Sequence, residues 1–449
     1  MRQDSLTRSQ STLYPARLVR DLRFLVASLL VATASLAAAP GSSAVQPLPG
    51  PDVPAHVKIA SPDPTPSPLS SSGLAAKLEN LIDQAPGASG AWVFDPERSG
   101  DQLLFAEDAG KTRILASNTK LFTTAAALDR LGPEKRLETR VWKDGPVGPD
   151  GTLDGDLYLV GDGDPTFGES EVEALAQDVK DAGIGRVTGK VLVDDTIFDR
   201  RRGLGKNPSK PNPYVGPLSG LSYKFGLSGH GFAGKPEIDA GLAFKAELED
   251  RGIGVGGDVD YGKAGDQLQE ADPVASVSSE PIAELVEQTN EPSNNFFAEM
   301  LLKRLAAGPG AQGTTQAGTR EVRAYARSLG TRVRSKDGSG IGRGNRTSPE
   351  RVGKLLVRML DEPAGDDFYE SLPRAGIEGT VSNRMEGTAA EGRCRAKTGT
   401  ISGVSALSGY CEIGGEPVAF SILMNGVGNV TAARSIQDRM VTVIARYTR

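Results

Sequence analysis

The sequence predicts an α+β fold in which one domain is interrupted by a β-rich insertion. Three observations predict it. Strand-like apolar patterns come from both ends of the ordered chain: ASGAWVFDPE and QLLFAED on one side, GVSALSGYCEI and PVAFSILMNGV on the other. Helical spacing fills the stretch from Pro281 to Glu362, while residues 138–277 read mainly as turn-bounded strands. The helices introduced by Ser117 and Ser293 lie 176 positions apart, more than one small domain needs.

Arg17, Arg20 and Arg23 precede an apolar run from Phe24 to Ala39, which suits an export signal better than a spanning helix of about 20 residues. Residues 1–44 are therefore expected to be a signal peptide, with an uncleaved membrane anchor as the alternative. Either places the body outside the cytoplasm. Residues 45–73 are rich in Pro and Ser and read as a linker. Order is expected from Leu74, where Leu74, Leu78 and Leu81-Ile82 form one helical stripe. A helix from about Asn118 to Leu131 ends at Gly132-Pro133. ETRVWKDG, GDLYLVGDGD, GKVLVDDTIFD and GDVDYGKAG are read as strands, ESEVEALAQDVKDAG and GLAFKAELEDRGI as helices. Four helices then start at Pro281, Asn295, Thr314 and Ser348, and a last one at Ala432. The expected organisation is a main domain, 74–137 with 278–449, and an inserted region, 138–277.

Composition removes several function classes. A net charge of −6 argues against nucleic acid as a partner and gives no general basic surface for anionic lipid. Only two histidines and two cysteines occur, so a His/Cys metal cluster is excluded and no metal or cofactor is expected. His56 falls in the linker and His230 in a Gly-rich loop, where a surface role is the plain reading. A serine hydrolase built on this chain needs a base other than histidine.

Ser117 and Lys120 form the only S-x-x-K in the chain. On a helix, i and i+3 share a face, so hydroxyl and amine can meet. A lysine held there and desolvated can lose its proton and act as base. The plainer readings are a serine N-cap and a surface lysine. Ser293-Asn294-Asn295 is the only S-x-N and opens a helix: Ser293 suits a proton relay, or a simple cap, and Asn295 a grip on a substrate amide carbonyl. Lys397-Thr398-Gly399 is the only K-T-G, and Thr400 follows it. A lysine flanked by hydroxyls makes a carboxylate site. Gly399 permits close backbone approach, and the Thr400 N–H would complete an oxyanion hole with that of Ser117. The bland alternative is an edge-strand lysine. If Ser402-Gly403 turns the hairpin, antiparallel register places Cys394 opposite Cys411, either as a disulfide or as two buried thiols.

Three singletons in this order match the S-x-x-K, S-x-N, K-T-G set of penicillin-binding proteins and serine β-lactamases. From about residue 74 onward, the blocks ASNTKLFTTAAAL, GDLYLVGDGDPTF, SNNFFAEMLLK, DGSGIGRGNRTSP, SLPRAGIEGTVSNR and RAKTGTISGVSALSGY resemble D-alanyl-D-alanine carboxypeptidases of the class C penicillin-binding protein 4 type, the S13 peptidase family. Leu115 stands where the family often has Pro, and Ser-Asn-Asn replaces its usual SDN.

The resemblance implies a transpeptidase-like domain, an antiparallel sheet with helices on both sides. It implies acyl transfer through Ser117 from peptidoglycan stem peptides ending in D-Ala-D-Ala, with β-lactams as covalent inhibitors and endopeptidase activity in some members. By the same resemblance, Asp164 and Arg343 would grip the ammonium and carboxylate of a diaminopimelate side chain, assisted by Ser402. Against these stand a turn aspartate and a surface arginine. A β-lactamase and a catalytically silent wall-binding module are the competing readings; the intact motif residues speak against the second.

Overall fold

The computed structural model describes residues 67–205, 208–229 and 231–449. The expected signal segment, His56, His230 and most of the linker lie outside them. No helix among the described residues is long and apolar enough to cross a membrane.

The fold is α+β. Its main sheet is antiparallel and draws on both chain ends, in the order Cys394–Ile401, Val404–Ile413, Glu416–Asn425, Ala88–Phe94, Leu103–Glu107. Both faces are covered, so the central strands are buried along most of their length rather than alternating between buried and exposed. Ala91 and Val93 face one cluster with Leu74, Leu78, Ile436, Met440 and Ile444, from helices Ser71–Ile82 and Val430–Ile444. Trp92 faces the other, with Phe122, Leu128, Met300, Leu301 and Leu355. The side-chain period of two makes this division. Helix Pro349–Met359 reaches the sheet through Gly353, where an added Cβ would lie 2.0 Å from the Trp92 ring.

The first helix starts at Ser71, three residues before the expected Leu74. Ser70 caps it, accepting from the Gly73 N–H at 3.3 Å. The last helix starts at Val430, two residues early, because Asn429 caps it through the Ala432 N–H. Ser and Asn side chains favour such starts by satisfying otherwise orphaned N–H groups.

A second five-stranded sheet has the order Val259–Tyr261, Val191–Asp194, Leu157–Val160, Glu138–Lys143, Ala275–Ser278. Its first three strands are mutually parallel, joined by crossover helices Glu169–Asp181 and Pro236–Asp250. Parallel neighbours need such long connections. The last two strands pair antiparallel, with Glu138 opposite Ser278, so the chain enters and leaves this sheet at one place. The sheet has its own apolar cluster, including Val141, Leu175, Val193 and Phe244.

Candidate active site

Ser117 sits in a tight 3-10 turn, Ala116–Asn118, that feeds helix Thr119–Leu131. It does not cap that helix with its side chain. Four hydrogen bonds hold the turn. The Leu115 N–H donates to the Asn345 carbonyl at 3.1 Å, and the Ile114 N–H to Asn425 Oδ1 at 2.7 Å. Asn118, fully buried, donates through Nδ2 to the Lys397 carbonyl at 2.8 Å and accepts from Ser408 Oγ at 2.7 Å. The turn therefore lies directly against the K-T-G strand. Gly399 makes this fit possible: a Cβ there would lie 2.8 Å from the Leu115 carbonyl and 3.1 Å from the Ser117 nitrogen. The close approach at Gly399 is thus made by the protein's own serine turn.

Lys120 is fully buried one helical turn on. Its ammonium donates to Ser117 Oγ at 3.1 Å, Asn295 Oδ1 at 2.7 Å and the Ser339 carbonyl at 2.8 Å. All three acceptors are neutral, and they use all three of its donors. Burial pulls its pKa down to about 7, against the opposing pull of Glu299 and Asp337. A lysine so placed can take the proton of a hydroxyl in contact with it.

Ser293 and Asn295 open helix Asn295–Arg304. The cap is the middle residue, Asn294, whose side chain accepts from the Phe297 N–H at 3.2 Å. Ser293 is left in a left-handed backbone conformation, φ 63°, and Ala116 beside Ser117 has φ 47°. Such non-glycine conformations cost about 1–3 kcal/mol each and cluster at functional sites. The Ser293 hydroxyl makes no hydrogen bond among the described residues; the contact to Lys120 comes from Asn295 instead. The Asn295 amide NH2 donates to the Tyr214 carbonyl at 3.0 Å, on the exposed side.

Lys397 is also fully buried, and the one hydrogen bond its ammonium makes among the described residues goes to the Thr398 carbonyl at 3.2 Å. Burial, and then the charge of Lys120, hold its pKa well below the usual range for lysine. A buried ammonium without a carboxylate partner is costly, and an incoming anion relieves that cost. Thr398 Oγ1 hydrogen-bonds Thr380 Oγ1 at 2.8 Å, and the exposed Thr400 accepts from Arg434 at 3.1 Å.

Arg343 donates to the Ser402 carbonyl at 2.6 Å, beyond the end of the K-T-G strand. Asp164 is buried and binds the N–H and hydroxyl of Thr166, at 2.7 and 2.6 Å. Burial pushes its pKa up to about 6. No contact joins Asp164 to Arg343 among the described residues. Cys394 and Cys411 face each other across the hairpin and form a disulfide, Cα atoms 4.0 Å apart. They share the sheet face of Ala396, opposite to that of Gly399.

Sequence reasoning missed the carboxylates behind the lysine. Glu299, fully buried, accepts through Oε1 from the Gly338 and Ser339 N–H groups at 3.0 and 2.8 Å, and so holds the carbonyl that Lys120 uses. Its Oε2 has no hydrogen-bond partner among the described residues. Burial, reinforced by Asp337, raises its pKa to about 7. Asp337 accepts from the N–H groups of Gly340 and Gly342 and from Asn345 Nδ2, which shapes the DGSG loop. An acid inside the apolar run NFFAEMLLKRL, at i+4 from Asn295, was the available signal.

A model of the D-Ala-D-Ala carboxypeptidase 3 (S13) family matches residues 74–227 and 232–447. A D-alanyl-D-alanine carboxypeptidase of Actinomadura sp. (strain R39) is 32% identical over 441 residues, covering 80% of this chain and 81% of the relative. The crystal structure of penicillin binding protein 4 from Haemophilus influenzae superposes with a TM-score of 0.71 at 20% identity, covering 83% of this chain and 99% of that one. A penicillin G-acylated predatory endopeptidase of Bdellovibrio bacteriovorus aligns with a TM-score of 0.52 at 16% identity, over 79% of this chain and 90% of that one.

Proposed function

The chain belongs to the D-Ala-D-Ala carboxypeptidase 3 (S13) family, and from that premise we propose that it releases D-alanine from peptidoglycan stem peptides through an acyl-enzyme on Ser117. Neutral Lys120 takes the Ser117 proton as Oγ attacks the carbonyl between the two D-alanines. The N–H groups of Ser117 and Thr400 receive the developing oxyanion. The proton passes from Lys120, by way of the Ser293 hydroxyl, to the leaving D-alanine amine, the C–N bond breaks, and water later hydrolyses the ester. The terminal carboxylate seats against Lys397 with the hydroxyls of Thr398 and Thr400. Asn295 exchanges the Tyr214 carbonyl for a substrate amide carbonyl. Asp164 and Arg343, with Ser402, address the zwitterionic end of a diaminopimelate side chain. Such a substrate places the working enzyme outside the cytoplasm, consistent with the export signal read in residues 1–44.

The observation that carries this reading is Lys120, buried on neutral oxygens 3.1 Å from Ser117 Oγ. The same attack on a β-lactam would trap the acyl-enzyme. Glu299 and Asp337 are buried behind Lys120, Glu299 held through Oε1 alone and Asp337 through both oxygens by backbone N–H groups, which leaves neither as an exposed water-activating carboxylate. This favours a slowly hydrolysed adduct over β-lactamase turnover. Mass spectrometry of penicillin-treated protein tests the assignment: one adduct is expected on the peptide holding Ser117, and an adduct elsewhere would overturn it.

A further inference from the structure

The chain is acidic overall, yet residues 320–351 hold nine arginines and lysines against three acids. The excess is organised. In the extended segment after helix Thr315–Ser328, Val333, Ser335 and Asp337 point inward while Arg332, Arg334 and Lys336 are exposed. Arg334 bridges antiparallel to Arg346, whose strand Arg346–Thr347 pairs with Arg113–Ile114. Arg332, Arg334, Arg346 and Arg351 thereby line one recess of about 250 Å³, with Thr112 and Thr347. None of these four guanidinium groups has a carboxylate partner among the described residues. Burial, with the charges of Arg327 and Arg320, pulls the pKa of nearby Arg323 below its usual value, another sign of unbalanced positive charge.

Like charges gathered without counter-ions repel, and a bound anion removes that repulsion. Guanidinium groups suit phosphate because they donate in forked pairs. The surroundings narrow the ligand. Large exposed apolar side chains occur at Leu103, Tyr214, Phe225, Leu227, Phe232, Leu242 and Ile377, none of them in this segment. A membrane-surface site would pair the cations with apolar residues for insertion. A single-stranded nucleic acid site would supply aromatic platforms for bases. We propose that the recess lined by Arg332, Arg334, Arg346 and Arg351 binds the phosphate groups of a polyphosphate polymer, distinct from the Ser117 site.

Calorimetric titration of the full chain with long-chain polyphosphate tests this, with inorganic phosphate and phosphatidylglycerol vesicles as comparison probes. Saturable polyphosphate binding is expected, weakening about tenfold or more between 50 and 200 mM salt. The double variant Arg334→Gln/Arg351→Gln should bind at least about tenfold more weakly, while keeping its melting temperature and its rate of penicillin acylation. Arg334→Lys/Arg351→Lys should recover part of the affinity, since it keeps charge and loses the fork. Absence of saturable binding, or equal affinity in the Gln variant, refutes the site. Inorganic phosphate binding as tightly per phosphate as the polymer, or vesicle binding that survives the Gln substitutions, refutes the polymer as ligand.

Discussion

Lys120 and Lys303 are both completely buried, and one helix touches both. Asn295, at its start, holds Lys120; Lys303, two turns on, reaches the second-sheet region. Lys303 meets a carboxylate, Asp199 Oδ1, at 2.6 Å, adds the Arg201 carbonyl at 2.9 Å, and lies over the Phe198 ring. Lys120 meets only neutral oxygens. Burial pulls both pKa values down, but Asp199 opposes the pull at Lys303. Burial alone therefore does not make a base. The charge of the acceptor decides whether a buried lysine keeps its proton as a structural cation or can surrender it.

The strongest test of this contrast is to remove each lysine. Lys120→Ala should cut the rate of acylation by fluorescent penicillin by about 10²–10⁴-fold, the range of a general base, while circular dichroism stays native. Lys303→Met should leave acylation within a few-fold. Near-wild-type acylation in Lys120→Ala would remove lysine as the base.

The second test acts on stability. Asp199→Ala leaves the Lys303 ammonium buried with only carbonyls, and breaking a buried pair from one side costs about 3 kcal/mol. Lys303→Met removes the charge and should cost less, read as the smaller shift in urea midpoint. If Lys303→Met is the more damaging of the two, Asp199 is not what stabilises that cation.

The two lysines differ in how much the sequence revealed. Ser117, Lys120 and Lys397 were legible because each belongs to a motif occurring once and short in span. The strands of both sheets were legible from their patterns, but the parallel order around Val191–Asp194 was not. Periodicity says what forms a strand, while crossover helices decide which strands meet. Glu299 stayed hidden because its partners, the Gly338 and Ser339 N–H groups, belong to a loop far along the chain. Asn118 is hidden for the same reason, since it clamps the Lys397 carbonyl across 279 positions. The resemblance brought Asp164 and Arg343 together on one ligand, yet each is bonded to a different segment.

A smaller effect should come from Glu299, which lies between Asn295 and Lys303 on helix Asn295–Arg304. Acylation is expected to rise with pH through about 7, because protonated Lys120 cannot accept a proton. Among the charged groups around it, Glu299 and Asp337 favour the ammonium, and the charge of Lys120 itself lowers the pKa of Lys397. Glu299→Gln retains an oxygen for the Gly338 and Ser339 N–H groups but removes the negative charge. The Lys120 pKa should then fall, moving the acid limb of the pH–acylation profile down by about half a unit or more. A superimposable profile would mean that Glu299 only holds the loop.

The smallest expected effect tests whether the start of the shared helix serves both lysines. Asn294 takes the place of the Asp in the more usual SDN, and the structure uses it as an N-cap. Asn and Asp are nearly equivalent caps, so Asn294→Asp should shift stability by only a few tenths of a kcal/mol and leave acylation unchanged. Asn294→Ala should cost about 1 kcal/mol by freeing the Phe297 N–H. Its kinetic effect distinguishes two roles for the cap. If the cap only stabilises the helix, acylation under native conditions stays near wild type, as with Lys303→Met. If it also holds Ser293 in its left-handed conformation and Asn295 against Lys120, acylation falls while the Lys303–Asp199 pair is untouched. The left-handed φ of Ser293, directly before the cap, makes the second outcome the expected one.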